Sequence, residues 1–255
     1  MVLYEVAIPS YKRHDQIIKK TLETMKRQGV PGDKITVFVA NDEEYALYKK
    51  AIPEGSVKAI VIGVIGLVPQ RAFIERYYPE GTFLVCSDDD IEAVYRATSK
   101  NTKEEVNLPE FFATAFQRLE DEKVHIWGVS AVDNPFFAFG SAEVTTTLKY
   151  LVGAFYGMKT MCQPVPLTGH GGVEDKERTL IFFKSEGKTL RFNHICPKTK
   201  YFGKGGLESP DRKQTHEIDT TALVAQYPEW VTKMVRKNGY PDVRFRHSRA
   251  KSKMG

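Results

Sequence analysis

The first 90 residues alternate short apolar runs with helix-like segments, and this alternation strongly constrains the fold. The apolar runs are rich in β-branched residues and end in turn-forming residues, as buried strands do. They cover Tyr4 to Ile8, Ile35 to Ala40, Ser56 to Val64 and Thr82 to Cys86. Helices are predicted between them, over about Asp15 to Arg27, Glu43 to Ala51 and Pro69 to Tyr77. This spacing predicts an α/β fold with a mainly parallel central sheet flanked by helices.

The pattern after about residue 95 is less regular. A helix is predicted over Leu108 to Glu122, a strand over Val124 to Val132, a loop over Pro135 to Phe139, one or two strands over Thr145 to Phe155, and a final helix from about Thr215 to Tyr227. The sequence contains no repeat or low-complexity linker. We therefore expect a single domain over residues 1–255, with a regular half over about 1–95, a less regular half over about 96–230 and a basic tail over about 231–255.

The composition argues against several classes of protein. With 255 residues, of which 42% are hydrophobic and 27% charged, the chain can bury a sizeable core. Its longest apolar stretches, such as Ala59 to Val68, are too short to cross a bilayer, so we expect a cytoplasmic location. The cysteines, Cys86, Cys162 and Cys196, are odd in number and lack C-x-x-C spacing. This argues against a disulfide framework and a zinc site.

Polar residues follow three of the predicted strands at the point where each strand ends. They are Pro9-Ser10-Tyr11, Asn41-Asp42 and Asp88-Asp89-Asp90. Ligands of open parallel sheets bind beyond the carboxyl ends of the strands. The three segments are therefore expected to converge on one binding site.

Three consecutive aspartates after a buried strand repel one another in a partly desolvated site. A divalent cation such as Mn²⁺ or Mg²⁺ resolves the conflict, because it takes carboxylate oxygens and bridges to substrate phosphates. In an extended segment Asp88 and Asp90 lie on one side and Asp89 on the other. This spacing predicts that Asp90 ligates the ion while Asp88 contacts the nucleotide or a metal-bound water. The alternative is an acidic turn that caps a helix after Ile91.

Two further regions carry residues with the chemistry of a site. Arg71 precedes the aspartates on a predicted helix, from which it can pair with them or bind a phosphate, or be an ordinary surface arginine. Glu174 and Asp175 follow a glycine-rich turn, where either is a general base or a helix-capping acid. His194 can complete a metal site and Lys204 can bind a diphosphate, although a structural role is the alternative for the histidine.

The net charge is +5, and basic residues are concentrated near the C-terminus. They are Lys233, Arg236, Lys237, Arg244, Arg246, Arg249, Lys251 and Lys253, with Asp242 as the acid among them. This tail is either a phosphate-binding surface or a solvated, partly disordered terminus.

Together these motifs resemble those of GT-A glycosyltransferases, which have a Rossmann-like nucleotide-diphospho-sugar transferase fold. The resemblance rests on Ala7 to Arg13 after the first strand, Asn41-Asp42 after the second, Gly66 to Arg71, the Asp-X-Asp motif at Asp88 to Asp90, and the Gly-Gly-X-Glu-Asp element at Gly171 to Asp175. It implies transfer of a sugar from a nucleotide-sugar, such as a UDP-sugar. It also implies Mn²⁺ or Mg²⁺ as the cofactor, acting on the leaving diphosphate.

Carried over residue by residue, the resemblance implies roles for most of the residues singled out above. The nucleotide-sugar would be held by Pro9, Ser10, Arg13, Asp42, Arg71 and Asp88. Asp89 and Lys204 are further candidates for donor binding. Residues of about 1–95 would then form the nucleotide-sugar-binding half, and those of about 96–230 the acceptor-binding half. The metal would be held by Asp90 and Asp88 and completed by His194, and the base would be Glu174 or Asp175.

The second half, from Asn193 through Lys204 to the basic tail, is similar to phage-type glycosyltransferases associated with TET/J-binding-protein oxygenases. Those enzymes modify hydroxymethylated bases in DNA, so this resemblance implies a base such as 5-hydroxymethylcytosine as acceptor and the host cytoplasm as location. The basic tail can bind DNA phosphates. The aromatic residues Phe136, Phe137 and Phe139 can stack on a base outside the duplex, or alternatively pack in the core.

Other functions remain compatible with these motifs. The same fold can transfer sugar to a polysaccharide, lipid or protein. A non-catalytic nucleic-acid-binding module and a metal-dependent nucleotidyltransferase are the alternatives from other classes.

Overall fold

The computed structural model describes residues 3–169, 171–199 and 212–246, which form an α/β structure around one large sheet. The strands are β1 (Tyr4–Pro9), β2 (Ile35–Val39), β3 (Ala59–Ile62), β4 (Phe83–Ser87), β5 (Ala93–Ala97), β6 (Lys103–Glu105), β7 (Ile126–Val129), β8 (Val144–Thr145), β9 (Phe155–Lys159), β10 (Leu190–Phe192), β11 (Ile195–Lys198), β12 (Val231–Val235) and β13 (Pro241–Phe245). The helices are α1 (His14–Ile17), α2 (Glu23–Arg27), α3 (Asp42–Ala51), α4 (Leu67–Tyr77), α5 (Leu108–Glu122), α6 (Pro135–Phe139), α7 (Glu174–Glu186) and α8 (Arg212–Gln226). A π-helical turn, Ile18–Leu22, joins α1 to α2, and a 3-10 turn, Gly32–Lys34, precedes β2.

The large sheet has the strand order β3-β2-β1-β4-β9-β7-β10-β8. Its first four strands are parallel, whereas β9 runs antiparallel to both β4 and β7. A smaller antiparallel sheet has the order β11-β5-β6, and β12 and β13 form a hairpin. Because β2, β1 and β4 are parallel neighbours, the loops that follow them leave from the same edge of the sheet.

Side chains of successive strand residues alternate between two cores on opposite faces of the sheet. In β1, Val6 and Ile8 pack with α2, α3 and α5, while Ala7 packs with α4 and α7 on the other face. Phe112 of α5 and Phe182 of α7 are buried in these two cores. The sheet is thus covered by helices on both faces, as predicted.

Local signals explain where several helices begin and end. The Asn41 side chain accepts from the N–H of Glu44 at 3.0 Å and starts α3. Asn107 accepts from the N–H of Glu110 in the same way at the start of α5. Gly187, with φ of +73°, ends α7 in a left-handed conformation that glycine adopts without strain. No helix of the described residues is long and apolar enough to cross a membrane.

The prediction of strands over Thr145 to Phe155 is wrong for most of that segment. Strand structure is found at its two ends, in β8 and at the start of β9. Between them, Leu148, Leu151 and Val152 are buried as irregular backbone. The apolar pattern therefore reflects burial of a connecting segment and not a strand.

The predicted tail is also different, because residues 231–245 form the β12–β13 hairpin. Val231 and Val243 are buried in a cluster with Leu180 of α7 and Leu223 of α8. The alternative of a disordered terminus is therefore wrong for this part of the chain. Residues 247–255, which include Arg249, Lys251 and Lys253, lie outside the described residues.

Candidate active site

The loop after β1 is fixed by α3. Lys12 has a φ of +56°, a left-handed conformation that non-glycine residues adopt when their surroundings impose it. Its N–H donates to Glu44 Oε2 at 2.7 Å, and the N–H of Arg13 donates to the Tyr48 hydroxyl at 3.0 Å. The Ser10 hydroxyl lies 2.6 Å from the same Tyr48 oxygen. Buried groups of α3 therefore hold the loop in one conformation.

Asp89 connects this loop to the end of β4. Its carboxylate accepts from the Ser10 hydroxyl at 2.5 Å and from Arg13 Nη1 at 2.9 Å. The residue is buried, which raises the pKa of Asp89, and its contacts with Arg13 and Ser10 oppose that rise. Ser10, Arg13 and Asp89 thus lie together, at the ends of two neighbouring strands.

Asp90 is bound from two directions. Arg13 Nη1 lies 3.4 Å from its Oδ2, and the hydroxyl of Thr199 donates to its Oδ1 at 2.6 Å. Thr199 directly follows β11, so the small sheet contributes to this site. Sequence reasoning missed Thr199, because nothing near it in sequence indicates that β11 lies beside the aspartates.

Thr21, in the π-helical turn, closes the turn formed by Asp88 to Asp90, which we call the aspartate turn. Its hydroxyl donates to the carbonyl of Asp88 at 2.8 Å and accepts from the N–H of Ile91 at 2.9 Å. π-helical turns are found frequently at functional sites. Here the turn brings one side chain to both ends of the aspartates.

Two expectations about the aspartates are wrong. The segment is a turn and not an extended strand, so Asp89 and Asp90 both reach Arg13 and do not alternate sides. A helix does not follow Ile91, because Ala93–Ala97 is a strand. The acids therefore do not cap a helix.

Asp88 is the most exposed residue of the aspartate turn. Arg71 Nη2 lies 3.2 Å from its Oδ1, and 36% of the Asp88 side chain is exposed. Protein nevertheless encloses much of the carboxylate, and this burial, with the nearby charges of Asp90 and Asp89, raises the pKa of Asp88 to about 7. Asp88 therefore combines access to solvent with a pKa that is raised mainly by burial, against the opposing charge of Arg71.

Arg71 is buried and pairs with acids of the site. Its side chain is 3% exposed, and its Nη2 also donates to the carbonyl of Gly153 at 2.9 Å. Its Nε lies 3.3 Å from Glu174 Oε1. Arg71 pairs with acids and is not an ordinary surface arginine, whereas its contact with a donor phosphate stays a prediction. Arg71 therefore links the aspartate turn to the start of α7.

Glu174 is buried between two arginines. Besides Arg71, the Arg178 Nη2 atom lies 2.7 Å from Glu174 Oε2, and Glu174 and Arg178 are 5% and 2% exposed. Both guanidiniums lie against the ring of Tyr156, with Cζ atoms 5.4 and 4.5 Å from its centroid. Arg178 was missed from the sequence, although its i,i+4 spacing from Glu174 would have indicated the pair once α7 was recognised.

Asp175 has a different environment from Glu174. It is partly exposed, and its Oδ2 accepts from the Tyr150 hydroxyl and from the N–H of Gly153 at 3.2 Å. A Cβ at Gly153 would come within 2.9 Å of the Asp175 Cβ and of Glu174 Oε1, so a side chain at position 153 would displace the acids. Gly153 thus contacts Asp175 through its N–H and Arg71 through its carbonyl.

The remaining predicted site residues are more dispersed. Pro9 ends β1, and Asp42 is exposed in the first turn of α3. His194 immediately precedes β11, whereas Thr199, which bonds Asp90, immediately follows that strand. The Nε2 atom of His194 lies 2.9 Å from the carbonyl of Ser141. The structure therefore does not bring His194 to the aspartates, and Lys204 lies outside the described residues.

The aromatic segment after β7 is a short helix, α6, rather than a loop, with Asn134 as its N-cap. Phe136 and Phe137 are 55% and 64% exposed, so core packing is wrong for both. Phe139 is 39% exposed and stacks on the His194 ring, with centroids 5.1 Å apart. Helix α6 therefore presents an exposed aromatic surface.

Two of the basic residues near the C-terminus form ion pairs within the fold. Lys233 pairs with Glu217 of α8, and Arg236 pairs with Asp242 at 2.6 Å. Arg244 is exposed on β13. The basic segment is thus partly consumed by structural ion pairs.

The fold is similar to that of solved GT-A glycosyltransferases. The mannosyltransferase PcManGT from Pyrobaculum calidifontis, solved with GDP-Man and Mn²⁺, matches with a TM-score of 0.54 at 14% identity, over 89% of this chain and 78% of that one. Glucosyl-3-phosphoglycerate synthase from Mycobacterium tuberculosis, solved with Mn²⁺, UDP-glucose and phosphoglyceric acid, matches with a TM-score of 0.50 at 10% identity, over 95% and 86%. GalNAc-T7, solved with UDP, GalNAc and Mn²⁺, has a TM-score of 0.54 at 12% identity, over 87% and 48%.

At sequence identities this low, the structural similarity shows a shared fold alone. The chain spans 66% of a structure of S. aureus TarS 1–349 and about half of GalNAc-T7. No curated protein sequence matches the chain.

Residues 4–205, more than three quarters of the chain, match the model of one glycosyltransferase family. That stretch contains the anchored loop after β1, the aspartate turn and the Glu174–Asp175 element, all within a GT-A fold. The chain therefore belongs to the TET-associated glycosyltransferase family.

Proposed function

We propose that this glycosyltransferase moves a sugar from a UDP-sugar, or another nucleotide-sugar, to the hydroxyl of a modified DNA base such as 5-hydroxymethylcytosine. The whole chain, residues 1–255, would act as one domain. The observation that carries the donor half is the aspartate turn. It presents the partly exposed Asp88 at the carboxyl edge of a parallel sheet, beside a loop after β1 that is already fixed.

The charge balance at the aspartate turn fits a divalent cation. Its carboxylates share Arg13 and Arg71, and Arg71 is also shared with Glu174. In the described part of the chain, no group of three or more His, Cys, Asp or Glu residues is arranged to hold a metal alone. Mg²⁺-like ions are commonly held by one or two carboxylates together with substrate phosphates. We therefore assign Mn²⁺ or Mg²⁺ to Asp88 and Asp90.

Three of the similar structures named above contain Mn²⁺ with a nucleotide or nucleotide-sugar, which supports the same pairing here. When bound, the ion would supply Lewis-acid stabilisation to the leaving diphosphate. Pro9, Ser10, Arg13 and Asp42 would hold the nucleotide, because they lie at the ends of the neighbouring strands β1 and β2. Asp89 would support them indirectly through its bonds to Ser10 and Arg13.

We assign the general base to Asp175 rather than Glu174. A base must reach the acceptor hydroxyl. Glu174 is buried and paired with Arg71 and Arg178, so its carboxylate is engaged inside the protein. Asp175 is partly exposed and is oriented by Tyr150.

The DNA acceptor is supported by the family and by the surface of the acceptor-binding half. Phe136 and Phe137 are exposed and lie at right angles to each other, with Lys100 Nζ 5.9 Å from the Phe136 ring centroid. Exposed aromatic rings stack on bases of any sequence, and nearby cations bind the phosphates. This surface can therefore receive an unstacked nucleotide.

The acceptor proposal is tested by incubating the protein with hydroxymethylcytosine-containing duplex DNA, Mn²⁺ and a panel of UDP- and GDP-sugars. Mass spectrometry of the digested nucleosides should show hydroxymethylcytosine heavier by one sugar. Unmodified DNA is the control. Transfer to a polysaccharide, lipid or protein, with none to DNA, would refute the acceptor.

The metal proposal has its own test. Calorimetry should show that UDP binds in the presence of Mn²⁺ and that the binding weakens at least about tenfold in Asp90→Ala and Asp88→Ala, since each removes a ligand. Asp121→Ala, an exposed aspartate of α5, is the matched control. Equal UDP affinity with and without Mn²⁺ would contradict the metal assignment.

Phosphate contacts from the basic C-terminal region predict DNA affinity that falls steeply with salt. Truncation after Lys233 would remove most of the hairpin, including Asp242, so it would disturb the fold as well. Replacing Arg244 and Arg246 by glutamine is the cleaner change, and it should reduce the salt dependence. An unchanged salt dependence would show that Arg244 and Arg246 do not contact DNA phosphates.

A further inference from the structure

Helix α8 lies directly on the glycine-rich turn that leads into Glu174 and Asp175. Asp219, on the buried face of α8, accepts from the N–H of Gly172 at 2.8 Å and is 4% exposed. A Cβ at Gly172 would lie 3.0 Å from both Asp219 Oδ2 and the Cα of His216. The turn and the helix are therefore in contact, with little room between them.

Residues at the start of the same segment are held by α7. Glu177 Oε1 accepts from the N–H of Thr168 at 3.0 Å, and its Oε2 accepts from the N–H of Gly169 at 3.2 Å. Glu177 is also buried. One carboxylate from each helix thus satisfies backbone donors of the turn, and a buried carboxylate bond to an N–H is a strong one.

The turn sets the position of Asp175, which is only three residues beyond Gly172. The hairpin adds a second restraint, because Lys176 is paired with Asp242 of β13, both nearly buried. Lys176 Nζ also lies 5.0 Å from the ring centroid of Tyr150, whose hydroxyl bonds Asp175. Residues of α8 and β13 therefore both contact the start of α7 or the turn before it.

We propose that Asp219 is a positioning residue for sugar transfer: by holding the N–H of Gly172, it fixes Asp175 where an acceptor hydroxyl can be deprotonated. This inference rests on the proposed function, in which Asp175 is the base. Asp219 lies beyond residues 4–205, the part that matches the family model. The donor contacts lie at the aspartate turn, so Asp219 should affect transfer and leave donor binding intact.

The test compares three variants of the full chain. Asp219→Ala removes the carboxylate that accepts the hydrogen bond from the Gly172 N–H. The kcat for transfer to hydroxymethylcytosine DNA should then fall about 10- to 100-fold, as expected for a small misplacement of a reacting group. Asp219→Asn keeps a side-chain oxygen for the Gly172 N–H and should restore most of the kcat. Glu217→Ala, on the exposed side of the same helix, is the matched control and should behave as wild type.

Gly172→Ala provides an independent change. Gly172 is not among the glycines with positive φ, so alanine acts through its Cβ contacts with α8. Gly172→Ala should lower kcat as Asp219→Ala does, so the test can still be made if Asp219→Ala folds poorly. In every folded variant, the UDP–Mn²⁺ affinity should stay within about twofold of wild type, since the donor contacts are untouched.

The outcomes separate this inference from the proposed function. If DNA is not the acceptor, hydrolysis of UDP-glucose by water replaces it as the measured reaction. If Asp175→Asn remains active, the base assignment fails. If Asp175→Asn is inactive but Asp219→Ala and Gly172→Ala keep the wild-type kcat, or lose UDP affinity in proportion to kcat, the positioning role is overturned.

Discussion

Replacing Glu174 is expected to lower stability, whereas replacing Asp175 is expected to lower activity. Glu174→Ala leaves Arg71 and Arg178 without the carboxylate that they share, and these side chains are only 3% and 2% exposed. Breaking a buried ion pair by removing one partner costs about 3–5 kcal/mol. Arg71 keeps Asp88, so most of the penalty falls on Arg178, and we expect the free energy of unfolding to fall by about 3 kcal/mol.

Asp175→Asn should leave stability nearly unchanged and strongly slow transfer. The side chain is partly exposed, and asparagine retains an oxygen that can accept from the Tyr150 hydroxyl. A change of this kind alters stability by about 1 kcal/mol or less. Loss of a general base lowers kcat by about 100- to 10,000-fold.

The assay pairs urea unfolding, followed by the fluorescence of Trp127 and Trp230, with the transfer rate at a urea-free reference condition. Glu122→Ala is a suitable control, because Glu122 is 21% exposed and its ion-pair partners, Arg118 and Lys188, are 49% and 44% exposed. Such a surface pair is worth about 0.3–0.5 kcal/mol. The contrast between the two glutamates isolates the effect of burial.

Two results would refute this reasoning. If Glu174→Ala unfolds at the same urea concentration as Glu122→Ala, the buried pairing contributes nothing to stability. If Glu174→Gln is as stable as wild type but as inactive as Asp175→Asn, then Glu174 is the base and the roles are reversed.

Further predictions concern the thiols and acid stability. Burial raises the pKa of Cys86 to about 11 and of Cys196 to about 12, so a thiol reagent should label exposed Cys162 quickly and no second cysteine until the protein unfolds. Burial alone raises the pKa of Asp242, but Lys176 and Arg236 outweigh it and hold the pKa below its usual value. Its stabilisation is present above about pH 4 and lost below it, so Asp242→Asn should flatten the acid-side fall of the urea midpoint; an unchanged slope would contradict this.

Much of the structure of the first 95 residues was predictable from sequence, because strands and helices alternate there and are separated by clear turn residues. The predicted strand over Ile35 to Ala40 and the helix over Glu43 to Ala51 match β2 and α3 within one residue at each end. Parallel neighbours then bring their carboxyl ends together as a matter of topology. This is why the contact between Ser10 and Asp89, 79 residues apart, could be anticipated.

The rest depended on contacts that local patterns do not encode. The geometry of the aspartate turn is set by Thr21 and Thr199, which lie far away in sequence and look like ordinary polar residues. Phe136 and Phe137 are apolar but exposed, which reverses the usual expectation for phenylalanine. The basic charge near the C-terminus suggested a tail, but residues 231–245 form a hairpin that is stabilised by packing on α8.

The bond between Thr21 and both ends of the aspartate turn has a consequence for engineering. One hydroxyl connects the helical segment that follows the β1 loop to the acids that we assign to the metal. The loop, the helix and the turn therefore depend on one another, and also on Tyr48 of α3 and Thr199 after β11, so a graft of the aspartates alone into another scaffold would lose their shape. Changes of donor preference should accordingly be sought by exchanging residues 9–27 together with 88–91.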